Sequence, residues 1–119
     1  MLRAARSVSP EFSVLSGFDE YYLVNRVSGG NGVLCGLTNV EPELFVRMHR
    51  AYQAGDFADA IACAERISRL MAVYDVCDLF ISSIKCAVSV KGLPISTRVA
   101  EPAVQTTPEQ VEQIRQILA

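Results

Sequence analysis

A chain of 119 residues with eleven basic and thirteen acidic side chains has the length of one small domain and a formal net charge of −2. That balance excludes the concentrated positive field that a nucleic-acid or anionic-membrane surface needs. Half of the residues are apolar, which excludes disorder, and no apolar run approaches the ~18 residues that span a bilayer.

In chain order, residues 1–9 read as the end of a helix with Leu2, Ala5 and Val8 on one side, stopped by Pro10. The start is uncapped, as if the helix were entered part-way. It carries no long apolar stretch of the kind that marks a secretory signal. Phe12–Gly17 is a short β-rich segment. Phe18 to Ser28 reads as a helix with Asp19 and Glu20 in its first turn, where the helix dipole favours acids. Gly29-Gly30-Asn31-Gly32 turns the chain into a second apolar segment, Gly32–Leu37, which is apolar throughout, as in a parallel strand covered on both faces.

Pro42 opens a helix with Leu44, Phe45, Met48 and Tyr52 at helical spacing, and Gly55 ends it. Asp56 caps the next helix, whose predicted apolar stripe is Phe57, Ala60, Ile61, Ala64, Ile67, Met71 and Tyr74. A further helix runs from about Leu79 to Val90, with Phe80, Ile84, Ala87 and Val88 inward and Gly92 as its stop. Leu93–Thr106 is extended. Thr107-Pro108-Glu109-Gln110 is a capping box that opens a last amphipathic helix carrying Val111, Ile114, Ile117 and Leu118.

Two strand–helix units in succession predict parallel pairing, and two buried strands cannot make a complete sheet. Four cysteines (Cys35, Cys63, Cys77, Cys86) form no CxxC pair, and three fall on apolar helix faces. They read as free thiols in a reduced, cytoplasmic setting. A single histidine, His49, excludes a His-rich zinc site, and no metal or other cofactor is expected.

Three runs carry a family resemblance. Phe12-Ser13-Val14-Leu15-Ser16-Gly17-Phe18-Asp19-Glu20 is followed by Gly29-Gly30-Asn31-Gly32-Val33-Leu34-Cys35-Gly36-Leu37-Thr38-Asn39 and then Pro42-Glu43-Leu44-Phe45. With Phe80-Ile81-Ser82-Ser83-Ile84-Lys85 and Gly92-Leu93-Pro94, this order resembles the last third of the dihydrodipicolinate synthase / N-acetylneuraminate lyase family. The resemblance implies an α/β fold: the C-terminal portion of a (β/α)8 TIM barrel, of about 250 residues when whole, plus additional C-terminal helices. Residues 1–55 would be the last two strand–helix units and residues 56–119 the helical extension. Strands one to six would be missing.

The same resemblance implies Schiff-base chemistry on pyruvate or a 2-keto acid. The family's imine-forming lysine, its proton-relaying tyrosine and its carboxylate-holding loop would all lie upstream of Met1. Without the amine no enamine forms, so the chain alone is expected to carry no catalytic residue and to be inactive. What it would keep is one substrate-binding wall: Gly17, Asp19, Glu20, Leu34 and Gly36. Gly17-Phe18-Asp19-Glu20 resembles the Gly-aromatic-Asp-Glu motif of the neuraminate-lyase branch, whose carboxylates accept hydrogen bonds from sugar hydroxyls. It leans away from the synthase branch, which tends to Gly-Asp-Asp. Gly36 departs from that lyase branch, which often has Ser there. Leu34 matches a position whose backbone lies near bound pyruvate.

The expected partners are a 2-keto sugar acid, if the barrel is completed, and either further copies of the chain or a complementing barrel half. Other readings stand beside these. Asp19 and Glu20 also suit plain helix capping. Lys85 and Lys91, the only lysines, sit within and at the end of a helix and read as solvated or structural. The Gly29–Gly32 run lacks the helix and Lys-Ser/Thr of a phosphate cradle. Alternatives for the whole are a dihydrodipicolinate synthase-type condensing enzyme fragment, a non-catalytic helical interaction module and a truncated gene remnant.

Overall fold

The computed structural model describes residues 2–119; the predicted helix position of Met1 lies outside the described residues. The chain runs through α1 (Leu2–Val8), β1 (Leu15–Ser16), α2 (Tyr22–Val27), β2 (Gly32–Val33), α3 (Pro42–Ala54), α4 (Phe57–Leu70), α5 (Phe80–Val90) and α6 (Pro108–Leu118). Short 3-10 turns at Asp19–Tyr21, Leu37–Asn39 and Met71–Asp75 join these elements. No helix among the described residues is long and apolar enough to cross a membrane.

β1 and β2 pair in parallel, with Leu15 opposite Gly32 and Ser16 opposite Val33. The strands are shorter than the sequence predicts. A strand extends only as far as it has a partner, and each of these has one neighbour. Pairing is lengthened by side chains. Asn31 donates its backbone N–H to Val14 O (2.9 Å) and accepts from Val14 N at Oδ1 (2.8 Å). Asn25, buried beneath the turn, donates from Nδ2 to Val14 O (3.2 Å) and accepts from Gly32 N at Oδ1 (3.0 Å). Gly30 is required there, because a Cβ would run into the Asn25 amide.

The second segment, expected to be covered on both faces, is not, and the front shows the uncovered apolar face that two strands alone leave. Leu15 is 47% exposed and Leu34 74%, and Val24 and Val27 of α2 are exposed beside them. The radius of gyration, 16.0 Å, exceeds the ~13.5 Å of a compact domain of this length, consistent with a front face that is not wrapped.

The core lies instead among the helices. Leu37, Met48, Ile67, Leu70, Val73 and Ile114 are almost fully inaccessible. Gly55 ends α3 with φ 76°, a left-handed cap that a side chain would strain. Asp56 caps α4 by accepting from Asp59 N (3.1 Å). The predicted capping box at Thr107 is present, with Gln110 N donating to Thr107 Oγ1 (3.3 Å) and Thr107 N to Gln110 Oε1 (2.9 Å). Arg66 ties three elements by donating to Leu118 O (2.8 Å) and pairing with Glu41 (3.4 Å) just before α3.

The predicted inward stripe of α4 needs correction. Phe57 and Ile61 are 57% and 54% exposed, while Cys63 and Leu70 are buried. The helix is turned so that its small side chains, Ala60 and Cys63, face inward, and Phe57 lies edge-on to Tyr52 at 6.1 Å. Phe80, also predicted inward, is 55% exposed, as is Val8 at 83%. All four cysteines are free.

Asn25→Ala leaves the buried Gly32 N–H without a partner. Chemical denaturation is expected to show a loss of about 1–3 kcal/mol; an unchanged midpoint would contradict the assigned role of this side chain.

Candidate functional site

The loops leaving β1 and β2 meet the end of α4 and the start of α5 around an open cavity of about 600 Å³. Its strand-side lining is Gly17, Phe18, Asp19, Leu34, Cys35 and Gly36. Its helical-side lining is Met71, Tyr74, Asp75 and Phe80. Of the five residues singled out in the sequence, four therefore share one cavity.

The turn out of β1 is fixed by Ser16, whose hydroxyl accepts from Phe18 N (3.1 Å) and donates to Phe18 O (3.1 Å). This sends Asp19 inward. Only 3% of Asp19 is accessible, and both its oxygens are engaged. Oδ1 accepts from Leu37 N (2.8 Å) and Oδ2 from the Tyr74 hydroxyl (2.8 Å). A buried carboxylate is tolerable only with such partners. Its first duty is thus to bind the loop after β2 to the turn after α4.

Glu20 points elsewhere. Its Oε1 accepts from Ser68 on α4 (2.6 Å), and it does not line the cavity. Leu34 projects into solvent at the cavity mouth. Gly36 packs under Tyr74: a Cβ there would collide with the Tyr74 hydroxyl and come within 3.3 Å of Ile84. Lys85 donates to Arg98 O and Lys91 reaches Glu41 (3.4 Å), so neither amine lines the cavity.

Sequence reasoning missed Tyr74, Asp75 and Phe80. Tyr74 fell on the helical stripe and read as packing. The available signal was its hydroxyl, which needs a partner when its ring is buried. The Tyr74 and Phe80 rings lie 5.9 Å apart and, with Phe18, make part of the wall aromatic.

Burial, then the neighbouring Asp19, pushes the Cys35 thiol up to about 12. The same two causes, in the same order, raise the Tyr74 phenol well above its ordinary value. Burial also raises Cys63, Cys86 and Tyr22. Each of these groups is neutral when protonated, so Cys35 and Tyr74 in the cavity lining keep their protons through the neutral range.

Against this geometry stand the known proteins. The sequence model of the dihydrodipicolinate synthetase family matches residues 1–119. The chain belongs to that family. It is 32% identical over 118 residues to the probable 2-dehydro-3-deoxy-D-pentonate aldolase YjhH of Escherichia coli K12, covering 99% of this chain and 39% of that one. Among solved structures it superposes on YagE, a prophage protein of the dihydrodipicolinic acid synthase family from E. coli K12 in complex with pyruvate. The TM-score is 0.93 at 27% identity, over 99% of this chain and 40% of YagE. Dihydrodipicolinate synthase of Bacteroides thetaiotaomicron gives 0.87 at 26% identity, over 98% and 40%. The chain thus spans about two fifths of the length of the relatives it matches, and it is a mostly helical α/β segment that fits part of their TIM-barrel architecture.

Two outcomes are expected. Gly36→Ala displaces the Tyr74 hydroxyl and lowers stability by about 1–3 kcal/mol in denaturant titration; an unaffected variant would mean that the close approach is not constrained. The second concerns pH. The folded state holds protons on Cys35, Cys63, Cys86, Tyr22 and Tyr74 that the unfolded chain releases first. Stability is therefore complete below the unfolded thiol value of about 8.5 and falls as pH rises through the folded values. Denaturation midpoints measured from pH 7 upward are expected to hold level and then drop; a rise on the alkaline side would contradict these shifts.

Proposed function

We propose that the chain forms the last two strand–helix units of a (β/α)8 barrel, with residues 56–119 as its C-terminal helical extension. In this reading it is the closing part of a pyruvate-dependent, Schiff-base aldolase or lyase acting on a 2-keto sugar acid. The single observation that carries the reading is the cavity at the carboxyl ends of two parallel strands, where barrel enzymes keep their active sites.

Gly17, Asp19, Leu34 and Gly36 form its substrate-facing wall, with Glu20 set behind it on Ser68. Within the 2-keto acids, the names of the E. coli relatives favour 2-dehydro-3-deoxy acids over N-acetylneuraminate, a pentonate for YjhH and a gluconate for YagE. The pyruvate in the YagE complex supports the common three-carbon portion of such substrates.

The imine-forming amine is not among these 119 residues. Lys85 and Lys91 are each held away from the cavity, and an amine that cannot reach the carbonyl cannot form the imine. Activity then requires the remaining strands to stand against the open edges of β1 and β2. The exposed apolar side chains of Leu15, Val24 and Leu34 would be buried there. Free thiols throughout suit a reducing cytoplasm.

Incubation of the 119-residue chain with pyruvate and borohydride, followed by mass spectrometry, tests the assignment. No reduced adduct is expected. A stable adduct on Lys85 or Lys91 would overturn it.

A further inference from the structure

The cavity offers few polar groups, and the most conspicuous, Asp19, is already fully used. Its two oxygens accept from Leu37 N and Tyr74 OH, and its accessibility is 3%. The polar side chains of the lining that remain for substrate hydroxyls are Cys35, Tyr74 and Asp75, the last on the exposed rim. Tyr74 is half-buried, lines the cavity and comes from the turn after α4, well outside the motif that the sequence singles out.

We propose that Tyr74 is the specificity-determining residue of this wall. Its hydroxyl, aimed by Asp19 and seated over Gly36, accepts a hydrogen bond from a substrate hydroxyl. The inference rests on the sugar-acid reading above and deepens it.

The hydrogen-bond inventory fixes the direction of that bond. A phenol has one donor and two acceptor lone pairs. The donor is committed to Asp19 Oδ2. Both acceptor lone pairs of the oxygen are left for a ligand or solvent, because the Leu37 amide is given to Asp19 Oδ1. The raised phenol value keeps the proton in place through the neutral range. The Tyr74 hydroxyl thus accepts from O–H groups and offers nothing to a group that only accepts, such as a carboxylate.

Gly36 explains how the phenol reaches this place. Any side chain at residue 36 would occupy the space of the Tyr74 hydroxyl. A serine hydroxyl at residue 36 and the Tyr74 hydroxyl are therefore mutually exclusive solutions to the same need. Asp19 is a positioning residue here, acting through Tyr74 and through the Leu37 amide.

The test is an amide chemical-shift titration of the isotope-labelled 119-residue chain and of Tyr74→Phe. Two probes are used: 2-dehydro-3-deoxy-D-gluconate and 2-oxohexanoate, the same carbon skeleton without its hydroxyls. The unmodified chain is expected to bind the sugar acid about fivefold more tightly than 2-oxohexanoate, and Tyr74→Phe to abolish that preference. Retention of the preference in Tyr74→Phe overturns the proposal while leaving the sugar-acid reading intact. So does binding of both probes by the unmodified chain without preference. Failure of the unmodified chain to bind either probe overturns this inference, which needs the wall to hold the sugar acid by itself, and leaves the sugar-acid reading intact, because that reading places the amine and the carboxylate-holding loop outside these residues. A second measurement needs no variant: magnetisation transfer from sugar-acid protons to the Tyr74 ring is expected, and its absence while the acid is bound overturns the proposal.

Discussion

One buried carboxylate holds the strand ends and the helical part together. Asp19 leaves the turn after β1, takes the Leu37 amide of the loop after β2 and takes the Tyr74 hydroxyl of the turn after α4. These three segments are far apart in sequence, and two hydrogen bonds to a charged acceptor join them. Such bonds are about twice as strong as neutral ones. The cost of desolvating the carboxylate is met only because both oxygens are satisfied. The arrangement is consequently all-or-none: losing one donor leaves a buried charge short of partners. The seat of Tyr74 over Gly36 follows from this clasp, and Asp19 adds to the rise that burial gives the Cys35 thiol.

The two parts of the chain differ in how completely they satisfy themselves. Helices α3 to α6 bury Met48, Ile67, Leu70 and Ile114 against one another, and their ends are capped by Asp56, Gly55 and Thr107. The front does not close in this way. Parallel strands are stable when both faces are covered and both edges are paired. Here Leu15 and Leu34 face outward, and each strand has one neighbour. Asn25 and Asn31 replace part of the missing ladder with side-chain hydrogen bonds, which keeps the register without completing the sheet.

The legible features in the sequence were those set by local rules. Pro42, Gly55, Asp56, Thr107 and Gln110 mark helix ends by short-range sterics and capping, and those ends lie close to where the sequence puts them. Burial was less legible, because it depends on what a helix meets. Phe57 and Ile61 share the helical spacing of Ile67, yet α4 turns Ala60, Cys63, Ile67 and Leu70 inward and leaves both exposed. The gathering of Gly17, Asp19, Leu34 and Gly36 followed from strand ends lying side by side. The inward turn of Asp19, the diversion of Glu20 to Ser68 and the arrival of Tyr74 did not, since each depends on a partner about 18 to 55 positions away.

That dependence bears on how the chemistry of a pocket changes within one fold. A polar group can be supplied locally, by a side chain on the strand-end loop, or remotely, by a residue of a packed helix that reaches over a glycine. The local solution is flexible and needs no special neighbour. The remote one needs a glycine beneath it and a fixed acceptor behind it, and this chain has both in Gly36 and Asp19. A rigid phenol with its proton committed can only accept, from a defined direction, whereas a serine hydroxyl rotates and can donate or accept. Exchanging one for the other alters which substrate groups are welcome without moving a strand. In this chain the glycine is thus an active choice: its missing side chain is the space in which the hydroxyl of Tyr74 stands.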